Sequence, residues 1–289
     1  MRRAMFLSSL ALLGGCVASS ALLAAAQKEA RVEKVIPASG IRTLRASVEV
    51  GTLKFRTDSA GEVKVIGIRR VKGGTDADQA RWLEETKVEI DRQGDTVIIK
   101  DVVPEALKKG NGKDRANGSL TLEVRIPRGL SIESAMGVGD INADGSYASL
   151  KLKTGVGHIT VDGDATELMV NTGVGDLKLA DVSISGSVVE INTGVGNVDA
   201  SLRRLPSKDL KVKSGVGDAV VRIPSSSKAT ASLRTGVGTV KSDFPLTAEK
   251  RGPVNIGGSM KGEINGGGAA LTINSGTGNV NLGRSRSDG

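Results

Sequence analysis

Six Gly-Val-Gly triplets and one Gly-Thr-Gly punctuate the second half of this 289-residue chain. Their glycine pairs are Gly137 and Gly139, Gly155 and Gly157, Gly173 and Gly175, Gly194 and Gly196, Gly215 and Gly217, Gly236 and Gly238, and Gly276 and Gly278. The starts are 18, 18, 21, 21, 21 and 40 residues apart, and a degenerate Gly257-Gly258 divides the last gap into 21 and 19. Self-similarity at a period near twenty residues is the signature of a solenoid, in which each repeat is one coil stacked on the next.

The residues around each triplet read as strands. Ahead of it, apolar residues alternate with outward ones and end in Thr or Ser: Leu150, Leu152, Thr154; Leu168, Val170, Thr172; Val189, Ile191, Thr193; Leu210, Val212, Ser214; Ala231, Leu233, Thr235; Leu271, Ile273, Ser275. Period two is the mark of a half-buried strand. Behind the triplet the parity reverses, with apolar residues at Ile141, Ile159, Leu177, Val198 and Val280. A straight strand cannot change parity without turning its core face to water. Each triplet is therefore a corner, and glycine suits it because it accepts positive φ and close backbone approach. The middle residues Val156, Val174, Val195, Val216 and Val237 are expected to point inward and stack. The fold class expected is all-β: a right-handed parallel β-solenoid (β-helix) with 18–21-residue coils, since parallel crossovers are overwhelmingly right-handed.

Four segments are expected. Residues 1–26 read as an export signal: Arg2 and Arg3, then an apolar run, then Ala24-Ala25-Ala26. Within it, Leu13-Gly14-Gly15-Cys16 resembles a lipoprotein processing site, which leaves Cys16 as a possible lipidation point, whereas the apolar Val17–Ala26 that follows favours ordinary signal cleavage. Either way the destination is the periplasm, the cell surface or the exterior. Residues 27–130 read as an N-terminal β region and cap of less regular coils, with strand-like runs at Val63–Ile68, Lys87–Ile90, Thr96–Lys100 and Leu120–Ile126 and a helix near 75–85 that carries Trp82, the only tryptophan. Arg45–Phe55, with its single corner Gly51, echoes the repeat. Lys108–Gly118 reads as a polar surface loop. Residues 131–283 are the regular solenoid and 284–289 a polar tail.

The formal charge is +8, or +6 without Arg2 and Arg3. A basic outer surface suits anionic polysaccharide or an anionic envelope surface as partner, or a protein partner. Five aromatic residues supply no stacking platform for nucleic acid. No stretch after the signal is long and apolar enough for a transmembrane helix.

Chemical sites are sparse. Asp140, His158 and Asp176 each follow a second corner glycine, so they should line up outward on successive coils. Carboxylates two rungs apart, about 9.6 Å at strand spacing, approach the separation that inverting glycoside hydrolysis uses. Nothing in the sequence desolvates them or builds a groove around them, so no catalytic site is assigned and the enzyme reading rests on those three residues alone. Calcium-binding β-roll repeats place the carboxylate two residues after the glycine and in nearly every turn. Here it falls one residue after, and Asn197, Thr239 and Asn279 interrupt the column. Neither a metal nor a cofactor is expected.

The unit Thr172–Leu179, Thr-Gly-Val-Gly-Asp-Leu-Lys-Leu, and its kin resemble the bacterial putative-adhesin domain, a family of secreted or envelope-anchored proteins of unknown function; Val48–Leu53 resembles that family's opening coil. The resemblance spans about residues 40–283. It implies a β-solenoid at the cell surface or in the periplasm, and it supplies no catalytic residues.

Overall fold

The computed structural model describes residues 28–108, 116–249 and 257–285. The expected signal with Cys16, most of the polar tail, and the middle of the Lys108–Gly118 loop lie outside the described residues. The first elements are β1 (Lys28–Pro37), β2 (Thr43–Asp58), β3 (Glu62–Lys72), α1 (Asp76–Glu85), β4 (Lys87–Gln93), β5 (Thr96–Val102), α2 (Glu105–Lys108) and β6 (Asn117–Pro127). They cover the strand runs and the helix expected from the sequence. Thr75 caps α1 in a capping box with Asp78, and the helix buries Trp82.

The repeats follow as β7 (Ser131–Val156), β8 (Ile159–Val174), β9 (Leu177–Ile184), β10 (Val188–Val195), β11 (Val198–Arg204), β12 (Asp209–Val216) and β13 (Ala219–Ile223). The chain closes with β14 (Ala229–Val237), β15 (Val240–Ser242), β16 (Thr247–Ala248), β17 (Gly258–Ile264), β18 (Ala269–Thr277) and β19 (Val280–Arg284). A rung is one strand ahead of a corner and one behind it. Rungs pair in parallel and in phase with the repeat: Ile141 lies beside Ile159 and Val195 beside both Val174 and Val216. The alternating residues read as inward are buried, from Leu150 and Leu152 to Ile273 and Leu282, whereas Val240, behind the Gly236–Gly238 corner, is only half-buried. Each side chain removed from water in this way contributes about 1.5–3 kcal/mol before the cost of ordering the chain.

Rung order departs from sequence order at both ends. β12 pairs with β18, and β18 with β14, so the last coil in sequence slots between the two before it. The stretch at Gly257-Gly258 is not a further corner. Instead β17 runs antiparallel along the free edge of β14. The turn from β17 into β18 uses Asn265, Gly266, Gly267 and Gly268, all with positive φ. At the other end β2 stacks in parallel on β7, so regular stacking begins with residues 43–58, earlier than the segment boundary drawn at residue 131. The outer edge of β2 takes β5 ahead of the corner and β6 behind it. β4 then runs antiparallel to β5, β3 to β6 and β1 to β3. Antiparallel neighbours need only a tight turn, whereas another parallel rung needs a whole coil. Both ends of the stack are therefore closed by reversing direction.

Candidate functional site

The corner is where the chain spends its polar groups, and in two respects it differs from the sequence expectation. First, the middle valines point outward. Val156, Val174, Val195, Val216 and Val237 are each 48–50% exposed, as are Val50 and Val138 at 45% and 49%. The inside of the bend is already occupied by the Thr or Ser that precedes it: Thr154, Thr172, Thr193, Ser214, Thr235 and Ser275 are buried. These hydroxyls donate to the carbonyl of the second corner glycine on the neighbouring rung, Thr172 to Gly157 O at 3.1 Å, Thr193 to Gly175 O at 3.0 Å and Ser275 to Gly217 O at 2.8 Å. A valine turned inward would displace that hydroxyl and orphan a carbonyl.

Second, the Asp–His–Asp row is a structural ladder. The His158 amide donates to Asp140 Oδ1 at 2.9 Å, the Asp176 amide to His158 Nδ1 at 3.1 Å, and the Asn197 amide to Asp176 Oδ1 at 2.7 Å. The series continues through Asp218 and Asn279 to Thr239. What the position requires is a short side chain with an acceptor, which Asp, Asn and His all provide. This accounts for the mixed column that a catalytic or calcium reading leaves unexplained. His158 Nδ1 is an acceptor here and lies 3.7 Å from Asp176 Oδ2, with the two side chains 61% and 51% exposed. The three side chains are thus brought into one line, as expected, but as links between rungs. No groove encloses them, and each is committed to a backbone amide. Among the described residues no group of three or more His, Cys, Asp or Glu side chains is arranged to hold a metal ion.

Several backbone groups of a corner are paired across rungs. The Gly157 amide donates to Val174 O at 2.8 Å, the Gly157 carbonyl accepts from Thr172, and the Ile159 amide donates to Asp176 O at 3.1 Å. Both glycines are required, for different reasons. A Cβ on Gly155 would lie 2.6 Å from Gly137 O, and one on Gly157 would lie 2.0 Å from Gly139 O with φ at +141° besides.

Two of the larger clefts among the described residues lie away from this row. One, about 300 Å³, opens beside the N-terminal corner between Glu49, Trp82, Asp101, Leu107 and Lys108. Behind it the Arg69–Asp101 ion pair is almost wholly buried, with side chains 5% and 2% exposed, and the Arg69 guanidinium lies 5.2 Å from the Trp82 ring centre. Sequence reasoning passed over this pair, because nothing local distinguishes Arg69 from the other basic residues of β3. The second cleft, about 380 Å³, is basic and hydroxyl-rich, with Arg203, Arg204, Ser207, Ser227 and Lys228 on its walls. Arg203 is tied to Asp164 and Asp181.

Residues 182–242 match the N-terminal domain of toast_rack, DUF2154. Three solved structures are similar to this chain at low identity. They are a putative cell adhesion protein from Clostridium sporogenes (18% identity, 89% of this chain and 100% of that one, TM-score 0.40), a putative adhesin from Bacteroides fragilis (12%, 88% and 97%, 0.35) and a putative adhesin from Parabacteroides distasonis (10%, 88% and 97%, 0.32). Bacterial proteins described as putative adhesins are thus among those this chain is similar to. No curated protein matches the chain. Among the described residues no helix is long and apolar enough to cross a membrane.

Proposed function

We propose that this protein is an exported, non-enzymatic, right-handed β-solenoid of the cell envelope that presents its polar outer face for binding or adhesion. The observation that carries this reading is the fate of the only chemically suggestive row. Asp140, His158 and Asp176 are held in backbone hydrogen bonds on an open face, which suits a rigid scaffold better than a catalyst. Lys151, Lys153, Lys211, Lys213 and Arg234 stand outward on the strands ahead of the corners, and with the Arg204–Lys228 cleft they offer cationic positions to an anionic polysaccharide or envelope surface.

The test is co-sedimentation with isolated envelopes and with acidic polysaccharide across a salt series, alongside surface labelling of intact cells. Binding that weakens as salt rises and labelling from outside support the reading. Absence of binding with a protected, periplasmic chain would replace it with a scaffold that has no external ligand. Cleavage of an acidic polysaccharide, lost in Asp176→Asn, would replace it with an enzyme.

A further inference from the structure

The outward valines form a continuous apolar ridge. In stacking order its crest is Val50, Val138, Val156, Val174, Val195, Val216, Thr277 and Val237. Eight large hydrophobic residues are conspicuously exposed among the described residues, and seven of them are on this crest; Val35 on β1 is the eighth. Scattered surface valines need no explanation, but a single-file row does. Six of the seven valines are flanked by glycine on both sides, so no neighbouring Cβ shields them. Contact along the row covers about half of each, and the outer half remains in water.

The ridge also divides charge. Beyond the first corner position, which is glycine on seven rungs and the Lys108-paired Glu49 on the terminal one, in the next outward column ahead of the ridge the rungs carry Ser47, Ala135, Lys153, Asn171, Asn192, Lys213, Asn274 and Arg234, with three cations and no anion. In the column behind it they carry Thr52, Asp140, His158, Asp176, Asn197, Asp218, Asn279 and Thr239, with three anions and no fixed cation. We infer that the ridge is a homodimer interface whose two-fold axis runs parallel to the stack, so that two copies lie side by side with rungs at equal height.

Charge selects both the occupant and the orientation. A two-fold axis along the stack carries the cationic column of one copy across to the anionic column of the other, and Lys213 then faces Asp218 of its twin on the same rung. A two-fold axis across the stack would set cations against cations and anions against anions, which is penalised at an interface. The same patch meets itself, as an isologous contact requires. In shape, each valine row stands against the bare glycine strip of the other copy. Eight rungs at strand spacing make a strip about 34 Å long, and the corner with one residue on each side is about 16 Å wide, so roughly 500 Å² per copy is covered. That total of about 1,000 Å² sits at the lower bound for a specific interface and describes a reversible dimer.

Sedimentation equilibrium of the full chain in a Cys16→Ser background should show a monomer–dimer equilibrium. Val174→Glu with Val195→Glu should shift it to monomer while the circular dichroism spectrum is retained. Val138→Cys, near one end of the ridge, should form a disulfide-linked dimer on mild oxidation, because the axis brings each residue beside its own copy. Lys213→Glu and Asp218→Lys should each weaken self-association at least tenfold, and mixing the two should restore it as a heterodimer, both facing pairs then being opposite in charge. A monomer at all concentrations would overturn the inference. So would a dimer indifferent to the Val→Glu changes, or one in which Val138→Cys fails to cross-link.

Discussion

The regular stack and the N-terminal end solve the same problem by different means. At an interior corner such as Gly155-Val156-Gly157, backbone groups left over by the bend find partners on neighbouring rungs, through one hydroxyl and one short acceptor repeated along the stack. At the corresponding N-terminal corner, Glu49-Val50-Gly51, the outer side has no full rung. β5 leaves β2 after Ser47, and β6 joins it only at Gly51. With no carbonyl pressed against it from outside, position 49 tolerates a side chain. Its amide turns to Asp101 at 3.4 Å and its carboxylate to Lys108. Asp101 is held in turn by the buried Arg69 under Trp82. A periodic structure can reuse one answer, whereas its terminus needs contacts found nowhere else in the chain.

The most damaging change should fall in the periodic region. Gly175→Ala puts a Cβ 2.1 Å from Gly157 O at a φ of +144° and should cost at least about 3 kcal/mol, read as a large loss in chemical denaturation. If the cost is under about 1 kcal/mol, the corners are looser than their spacing indicates. At the N-terminal end the counterpart is Asp101→Ala, which strands a buried guanidinium and should cost about 3–5 kcal/mol, with Arg69→Met plus Asp101→Leu recovering part of that. Equal effects of the single and double changes would remove the ion pair from the account.

Where the two regions meet, Tyr147 is buried, and its single hydroxyl proton is shared between Asp144 O at 2.9 Å and Phe55 O on β2 at 3.2 Å. Burial, with the Asp144 charge nearby, pushes its hydroxyl well above the usual range. Unfolded tyrosine ionises near 10, so this group stabilises the fold fully below that pH, and its contribution falls as pH rises above it. As it is the only tyrosine, ultraviolet titration should show no ionisation near pH 10 until the chain unfolds. Tyr147→Phe should cost about 1 kcal/mol at neutral pH and flatten the alkaline loss relative to wild type.

The ladder residues should matter less, because they are exposed and water can substitute. Asp176→Ala should cost about 1 kcal/mol and Asp176→Asn, which keeps Oδ1, less than about 0.5. The reverse ranking would mean that charge, not an acceptor, is what the column supplies. Val174→Asp, too, should shift stability by no more than about 1 kcal/mol, against several for a buried charge; a collapse of the fold would return the valine to the interior.

Local pattern was enough to reveal the strands, the parity change and the corners, because an alternation of apolar residues and a pair of glycines act on their own neighbourhood. Thr154 and Thr172 were visible as the last residue before each corner, yet their role depends on a carbonyl 15 residues away in sequence. For the same reason Val174 reads as an inward residue until the hydroxyl that fills the bend is in place.

The amino-acid order alone determined that this chain winds into stacked coils with an apolar interior, since the period and the alternation admit no other way to hide those side chains. Tertiary structure decided which coil lies next to which, and so placed β18 between β12 and β14 and turned Asp140, His158 and Asp176 into links of a ladder. Rungs carrying interchangeable edges can stack in several orders. Only the contacts at the two ends, made by residues far apart in the chain, select one.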